Sequence, residues 1–499
     1  MRNKAVFYPY TSFIKSTRAL IRFYAIVAIA ALIGCASVGP DYVPPDTAVS
    51  DAWHTELGSG LIRGETDPVK LAKWWTMLDD PELNRLIERA AAGNLDVKQA
   101  EARLREARGQ RSIVEADLFP TLDATGTATR SHSSKNMGSG TARTLYSTSF
   151  DAGWEIDVFG GVRRSVEAAD ANLMARQEDL RDVMVSLMAE VALNYIEIRT
   201  YQARLTTAEA NIRNLEETCQ LTQWRYQAGL TDELDVQRAL SSLESIRARV
   251  PTLRISLEAA KNRVAVLIGT QPGELHGELE AARPVPVVPL AVAVGVPADV
   301  LRQRPDVRVA ERELAAQTVR VGVATADLYP KFTLNGFIGF DALSTGSLWT
   351  EGSRSDSFGP RITWRIFNAG AIRQNIEVQS AKQEQALAGY EATVLSALEE
   401  TENALVSYVE EHHRRDGLIL AVRAAQQAFD LAQYKYQAGV IDFTSLLDAQ
   451  RSLISLQDDA VISDGGVTSS MVRLYKALGG GWAVRTGESE KKYGSKDNT

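Results

Sequence analysis

The sequence predicts a mostly α-helical chain carrying a small set of membrane-type β-strands, built from one unit written twice. Three observations carry this reading. First, WRYQAGLTDELD (Trp224–Asp235) and YKYQAGVIDFTS (Tyr434–Ser445) lie 210 positions apart. At the same offset NLDVKQAE (Asn94–Glu101) meets RPDVRVAE (Arg304–Glu311), EADLFP (Glu115–Pro120) meets TADLYP (Thr325–Pro330), and LIG and ALG end at Gly269 and Gly479. Several matches at one offset mark an internal duplication. Second, the 67 residues Val162–Ala228 contain neither glycine nor proline. Third, two stretches alternate apolar and polar residues with the period of a strand.

The chain has 499 residues, of which 45% are hydrophobic and 24% charged, an ordinary composition for a folded protein. Arg2, Lys4, Lys15, Arg18 and Arg22 precede an apolar run from Phe23 to Ile33, and no acidic residue occurs before Asp41. Eleven apolar residues are too few to span a bilayer, so residues 1–34 read as a secretory signal. The run ends in LIGC, which resembles the bacterial lipoprotein signal, making Cys35 the expected lipid attachment point. Ala36 is not the aspartate that retains such proteins in the inner membrane, which directs the chain to the outer membrane. Loss of the signal leaves 50 basic against 63 acidic residues, a net charge of about −13, which argues against nucleic acid as a partner. With Cys35 used, only Cys219 remains, so no intrachain disulfide is expected.

Residues 35–76 read as an extended, lipid-anchored segment, followed by the first repeat (77–282), a proline-rich connector (283–297), the second repeat (298–480) and a disordered tail (481–499). The connector RPVPVVPLAVAVGVP holds four prolines, which disfavours helix. In each repeat an approach helix ends at Pro120 or Pro330, and a β-hairpin follows, about 121–157 and 332–366. Tyr146, Thr148, Phe150, Ala152, Trp154 and Ile156 alternate with polar or small residues, as do Phe358, Pro360, Ile362, Trp364 and Ile366. A long helix comes next. Apolar residues recur every seven at Val166, Leu173, Leu180 and Leu187, then after a four-residue shift at Val191, Ile198, Leu205, Ile212 and Cys219. That is coiled-coil spacing with a stutter, and 67 residues make a rod of roughly 100 Å. The second copy runs over Ala371–Ala438. Return helices are expected over Asp232–Ile268 and Asp442–Leu478, bent at Pro251 and at Gly465 and Gly466. Each QAG closes a helix with glycine near 229 or 439, and Asp232 or Asp442 caps the next. The repeated turn is therefore the tip of a helical hairpin.

Four long strands approach the length needed to cross a membrane, but cannot close a barrel without leaving edges unpaired in lipid. Two chains would give eight strands; three would give twelve and a lumen. A water-soluble sheet beside a coiled coil is the alternative from alternation alone.

VGPDYVPP (Val38–Pro45), WWTMLDDPELNRLI (Trp74–Ile87), LRQRPDVRVAERELAAQ (Leu301–Gln317), ADLYPKFTLNG (Ala326–Gly336) and the YQAG tips resemble the outer membrane factor family of TolC-like channels, in its lipoprotein branch. The resemblance runs over roughly Cys35–Gly480. It implies a homotrimer, with a 12-stranded outer membrane β-barrel continuous with a long α-helical barrel in the periplasm. It further implies an efflux duct that works with a periplasmic adaptor and an inner-membrane pump, commonly of the RND class. Asp448 matches a pore-lining aspartate of such channels, Tyr436 a linking tyrosine and Asp235 its acidic partner on the other hairpin. Ile441 and Ser445 depart from the pattern, standing where an arginine and a second aspartate occur. A ring of carboxylates on a narrow axis would favour cations. Tyr226, Gly229, Asp232, Gly439 and Asp442 are the candidate adaptor contacts, with helix capping the expected role of the two aspartates.

Other functions fit less well. The five histidines form no HExxH spacing, His412 and His413 point to different helix faces as a solvated pair, and DVFGG (Asp157–Gly161) lacks a nucleotide-binding pattern, so no catalysis, cofactor or metal is expected. A periplasmic coiled-coil adaptor lipoprotein would explain rods and lipid, but not hairpin plus rods repeated twice. Type I protein secretion and metal-ion export stay open as channel alternatives.

Overall fold

The computed structural model describes residues 37–46, 49–64, 67–137, 140–286 and 292–482; Cys35, the signal and the tail from 483 lie outside them. In chain order the elements are β1 (Leu61–Arg63), α1 (Pro68–Ala72), a 3-10 helix (Trp74–Leu78), α2 (Pro81–Gly93), α3 (Leu95–Ala116), β2 (Thr121–His132), β3 (Ala142–Ile156), α4 (Gly161–Gln227), α5 (Glu233–Leu267), β4 (Val292–Val294), α6 (Pro297–Gln303), α7 (Pro305–Ala326), β5 (Lys331–Ala342), β6 (Arg354–Thr363), α8 (Ala371–Gln437) and α9 (Phe443–Ala477). Two compact units cut across the duplication, each taking segments from both copies. Unit one is the described part of Met1–Pro45 with Arg105–Ala175 and Glu311–Gly389; unit two is the rest.

In unit one the two hairpins join into one antiparallel sheet of order β2-β3-β5-β6. The register aligns Phe150 with Ile338, Trp154 with Leu334 and Ile156 with Phe332, and Gly336 with Phe358 and Phe332 with Ile362 beyond. One face is therefore apolar and open, with Leu122, Phe150, Phe358 and Ile362 all more than half exposed. The opposite face carries hydroxyls and carboxylates: Thr125 Oγ1 donates to Asp151 at 2.9 Å, as does Ser149 at 2.8 Å. Both outer strands, β2 and β6, present an unpaired side. The last strand ends at Thr363, short of the alternation read to Ile366. Beyond it the Trp364 indole donates to Leu328 O at 3.0 Å, as Trp154 does to Leu118 O at 2.9 Å, one repeat earlier.

The segment Ser37–Pro45 is docked in the same unit. Val38 N–H donates to Phe159 O (3.1 Å), and the buried Arg164 reaches Val38 O and the Asp41 carboxylate. Gly39 (φ +92°) lies so near Gly322 that a Cβ would come 2.3 Å from its Cα. Further on, the expected extended stretch to residue 76 folds into β1, α1 and the 3-10 helix. The connector is likewise tied down: β4 pairs in parallel with β1, and Thr468 donates to Pro286 O at 3.0 Å.

Unit two holds the main core, where Trp74 stacks on Tyr475 at 5.7 Å among Leu83, Leu86, Met188, Val264 and Met471. Inside it sits Arg199, fully buried, bonded to Glu82, to Gln202 Oε1 at 2.7 Å and to Ala281 O at 3.0 Å. Burying that charge is tolerable because every donor direction but one finds an acceptor. The heptad stripe is only partly inward: Leu187, Val191 and Ile198 are buried, whereas Leu205, Ile212 and Cys219 are half-buried. Outward along α4 the buried seam moves to Asn211, Leu215, Thr218 and Thr222, because the helix has neighbours on more than one side.

α5 runs as one helix through Pro251 and α9 through Gly465 and Gly466. The glycines serve contact. A Cβ on Gly465 would meet Thr200 Oγ1 at 2.2 Å, and one on Gly466 would meet Glu411 Oε2 at 2.9 Å. His412 is half-buried against Tyr408 at 4.6 Å, and burial lowers its pKa, so only His413 fits the solvated reading. Among the described residues no helix is long and apolar enough to cross a membrane.

Two predictions follow from this packing. Gly465→Ala should lower the thermal midpoint, with an overpacking cost of about 1–3 kcal/mol, whereas Gly417→Ala, with open space at its Cβ, should leave it equal or higher. Calorimetry of the two variants checks the pair. Asp182 is pushed up to about 6, chiefly by burial, with Asp306 and Asp179 adding and Arg304 and Lys476 opposing. A raised folded-state pKa favours folding below the ordinary aspartate range and loses that contribution as pH rises through about 6. Asp182→Asn should therefore be more stable than the parent at pH 8, by roughly 3 kcal/mol, and about equal to it at pH 4; an equal difference at both pH values would exclude the linkage.

Candidate functional site

Both hairpin tips lie in unit two, and each is closed by the same backbone device. Gly229 (φ +71°) and Gly439 (φ +74°) take the left-handed conformation that side chains disfavour. Leu230 N–H returns to Arg225 O at 2.8 Å and Gly229 N–H to Tyr226 O at 2.9 Å; Val440 and Gly439 repeat this with Lys435 and Tyr436. That pair of bonds is the Schellman closure. Asp232 then accepts from Asp235 N–H at 3.1 Å and Asp442 from Ser445 N–H at 2.8 Å, starting α5 and α9. The Asp442 carboxyl is held below the usual aspartate range by the Ser445 hydroxyl and amide.

The two tips differ in what their side chains do. Tyr436 is buried at 3% exposure in a cluster with Phe429, Phe443, Leu446 and Leu447, while its counterpart Tyr226 is 41% exposed. The Arg225 guanidinium stands 4.6 Å from the Tyr436 ring centroid and donates to Tyr436 O at 3.2 Å. Tyr436 and Asp235 do not bond each other. The Tyr436 hydroxyl has no hydrogen-bond partner among the described residues, and burial pushes the phenol pKa up. Asp235 instead accepts from Thr231 Oγ1 at 2.5 Å and lies 3.6 Å from Arg238, whose guanidinium donates to Thr444 Oγ1 at 2.9 Å. Asp448 is exposed on α9 with no ion pair among the described residues.

Sequence reading overlooked Arg225 and Arg238, which join the first tip to the second, and Thr231, which bonds Asp235 within the first. A signal for them was present. At the 210 offset the turn residues repeat, but Thr222, Arg225, Thr231, Asp235 and Arg238 stand opposite Ala432, Lys435, Ile441, Ser445 and Asp448. Two of these diverged positions, Arg225 and Arg238, make contacts to the other hairpin. Among the described residues no three His, Cys, Asp or Glu side chains gather as a metal site. The tips thus offer exposed apolar groups (Trp224, Tyr226, Leu230, Tyr434 and Val440), charge and hydrogen bonding.

Known proteins share this architecture. A family model described as "Outer membrane efflux protein" matches residues 86–270 and 296–480. Nodulation protein T of Rhizobium leguminosarum bv. trifolii is 32% identical over 442 residues, covering 88% of this chain and 91% of its own. The probable efflux pump outer membrane protein TtgC of Pseudomonas putida is 30% identical over 476 residues, covering 94% and 97%. A solved structure of the outer-membrane channel OprN matches with a TM-score of 0.84 at 38% identity, over 90% of this chain and 100% of that one.

The capping geometry sets an expectation for pH. A depressed folded-state pKa stabilises above the unfolded value and stops doing so as pH falls through the folded one. Hydrogen exchange at the Ser445 amide should stay protected in the parent at neutral pH and weaken only below the ordinary aspartate range, while Asp442→Ala should exchange fast throughout.

Proposed function

We infer the function from the premise that this chain belongs to the outer membrane efflux protein family. It is the outer membrane component of an efflux pump, a channel serving as exit duct. The single observation that carries its working form is the four-stranded sheet of unit one, with one face apolar and open and both edges unpaired. Such a sheet is stable in hydrocarbon only when its edges are paired. Three copies joined β2 to β6 would give twelve strands, the polar face lining a lumen, so the proposed assembly is a homotrimer.

Cys35 is the proposed lipid attachment site, two residues before Ser37, from which the chain is docked beside the strand-to-helix junction at Phe159 and Gly160. In the periplasm the partners are an adaptor protein and an inner-membrane pump of the RND type, with Tyr226, Gly229, Asp232, Gly439 and Asp442 offered at the tips for adaptor contact. The cargo is drugs or other toxic small molecules, moved by the pump and conducted passively here. Asp448, Asp235 and Tyr436 are the proposed gate residues. In that gate Arg225 takes the linking role through the Tyr436 ring, and Thr231 mediates for Asp235.

Two measurements test this. Purified protein in a lipid-like environment should run as a trimer and conduct ions in planar membranes; a monomer that passes no current would sink the duct. In the same bilayers Asp448→Ala should lower cation preference, and Arg225→Ala should raise conductance by loosening the tips. Unchanged conductance and preference in Asp448→Ala would remove that residue from the gate.

A further inference from the structure

Along the wall of unit two, α4, α5 and α9 fail to close against one another and leave a cavity of about 440 Å³. Its apolar side is formed by Ile246, Leu253 and Ile454, each 7–8% exposed. Into the seam beside them the sequence places Asn211, only 5% exposed, whose side-chain amide has no hydrogen-bond partner among the described residues. That amide lines the cavity and is not sealed from solvent, so it can exchange water for a polar group of a ligand. The charge at the rim is unbalanced. Arg204 is matched by Asp458 through two bonds of 2.8 and 3.0 Å, whereas Arg249 has no ion-pair partner among the described residues.

We propose that this cavity is a binding site for small amphipathic aromatic anions, one per protomer. The volume suits a drug-sized molecule, which would lay its ring on Ile246, Leu253 and Ile454. A carbonyl, hydroxyl or amine beside the ring would bond Asn211, whose amide both donates and accepts. The anionic group would meet Arg249 at the rim. Nothing in the channel reading requires such a site, since a passive duct has no need to hold its cargo. The site stands on the wall helices alone, and its test does not depend on conduction.

The test uses the intact assembly in nanodiscs, titrated with 8-anilinonaphthalene-1-sulfonate and with its uncharged analogue N-phenyl-1-naphthylamine, after subtraction of empty nanodiscs. The parent should show one saturable site per protomer for the anion. Ala248→Trp, at an exposed position on the cavity lining, should abolish binding of both probes. Arg249→Ala should weaken the anion about tenfold and the neutral probe less than about twofold. No saturable binding above empty nanodiscs, or undiminished binding in an assembled Ala248→Trp, overturns the proposal. Should the tryptophan variant fail to assemble, Arg249→Ala still decides: equal loss for both probes, or none, rules out the site.

Discussion

The unsatisfied backbone of a sheet edge is the constraint on which the rest of this molecule depends. β2 and β6 each leave one side without partners, and the face they share turns aromatic and aliphatic side chains outward. In water such an edge invites uncontrolled pairing; in hydrocarbon it is not tolerated, because no solvent can replace the missing bonds. The chain answers by joining its two hairpins through β3 and β5, so that one four-stranded sheet replaces two hairpins and only two edges remain. Duplication makes this possible, since each copy contributes a hairpin too small to be stable alone.

The same duplication explains the division of labour at the tips. What both copies keep is backbone chemistry: a glycine at positive φ, a Schellman closure and an aspartate that starts the return helix. What they have changed is the contact between the copies. Arg225 and Arg238 reach from one hairpin to Tyr436 and Thr444 of the other, while the equivalent Lys435 and Asp448 stay exposed. Divergence at Arg225 and Arg238 supplies these contacts while the turn itself stays intact.

Close approach of helices is achieved elsewhere by removing side chains. Gly465 and Gly466 admit Thr200 and Glu411 into space where a methyl would collide, and Gly39 does the same for the anchor segment at Gly322. The deep core meanwhile accepts a charge, Arg199, because Glu82, Gln202 and a backbone carbonyl receive its protons. Such arrangements trade easy packing for a specific register between helices whose apolar stripes alone would allow sliding.

Much was legible before any coordinates. Periodicity, caps and the 210-residue offset located the long helices to within a residue or two of Gly161–Gln227 and Ala371–Gln437, and the strands nearly as well, because these signals are local and repeated. Sequence likewise fixed the conformation of the tips, since glycine and aspartate act on their own neighbours. Tertiary structure alone decided that Gly465 and Gly466 admit a neighbour, which tyrosine of the YQAG pair is buried, and that Arg225 rather than Asp235 meets Tyr436. It also decided that the connector and the supposed extended anchor become a small parallel sheet. These depend on which surfaces meet across hundreds of residues. Local propensity and period carry no record of that; only the packed helices do.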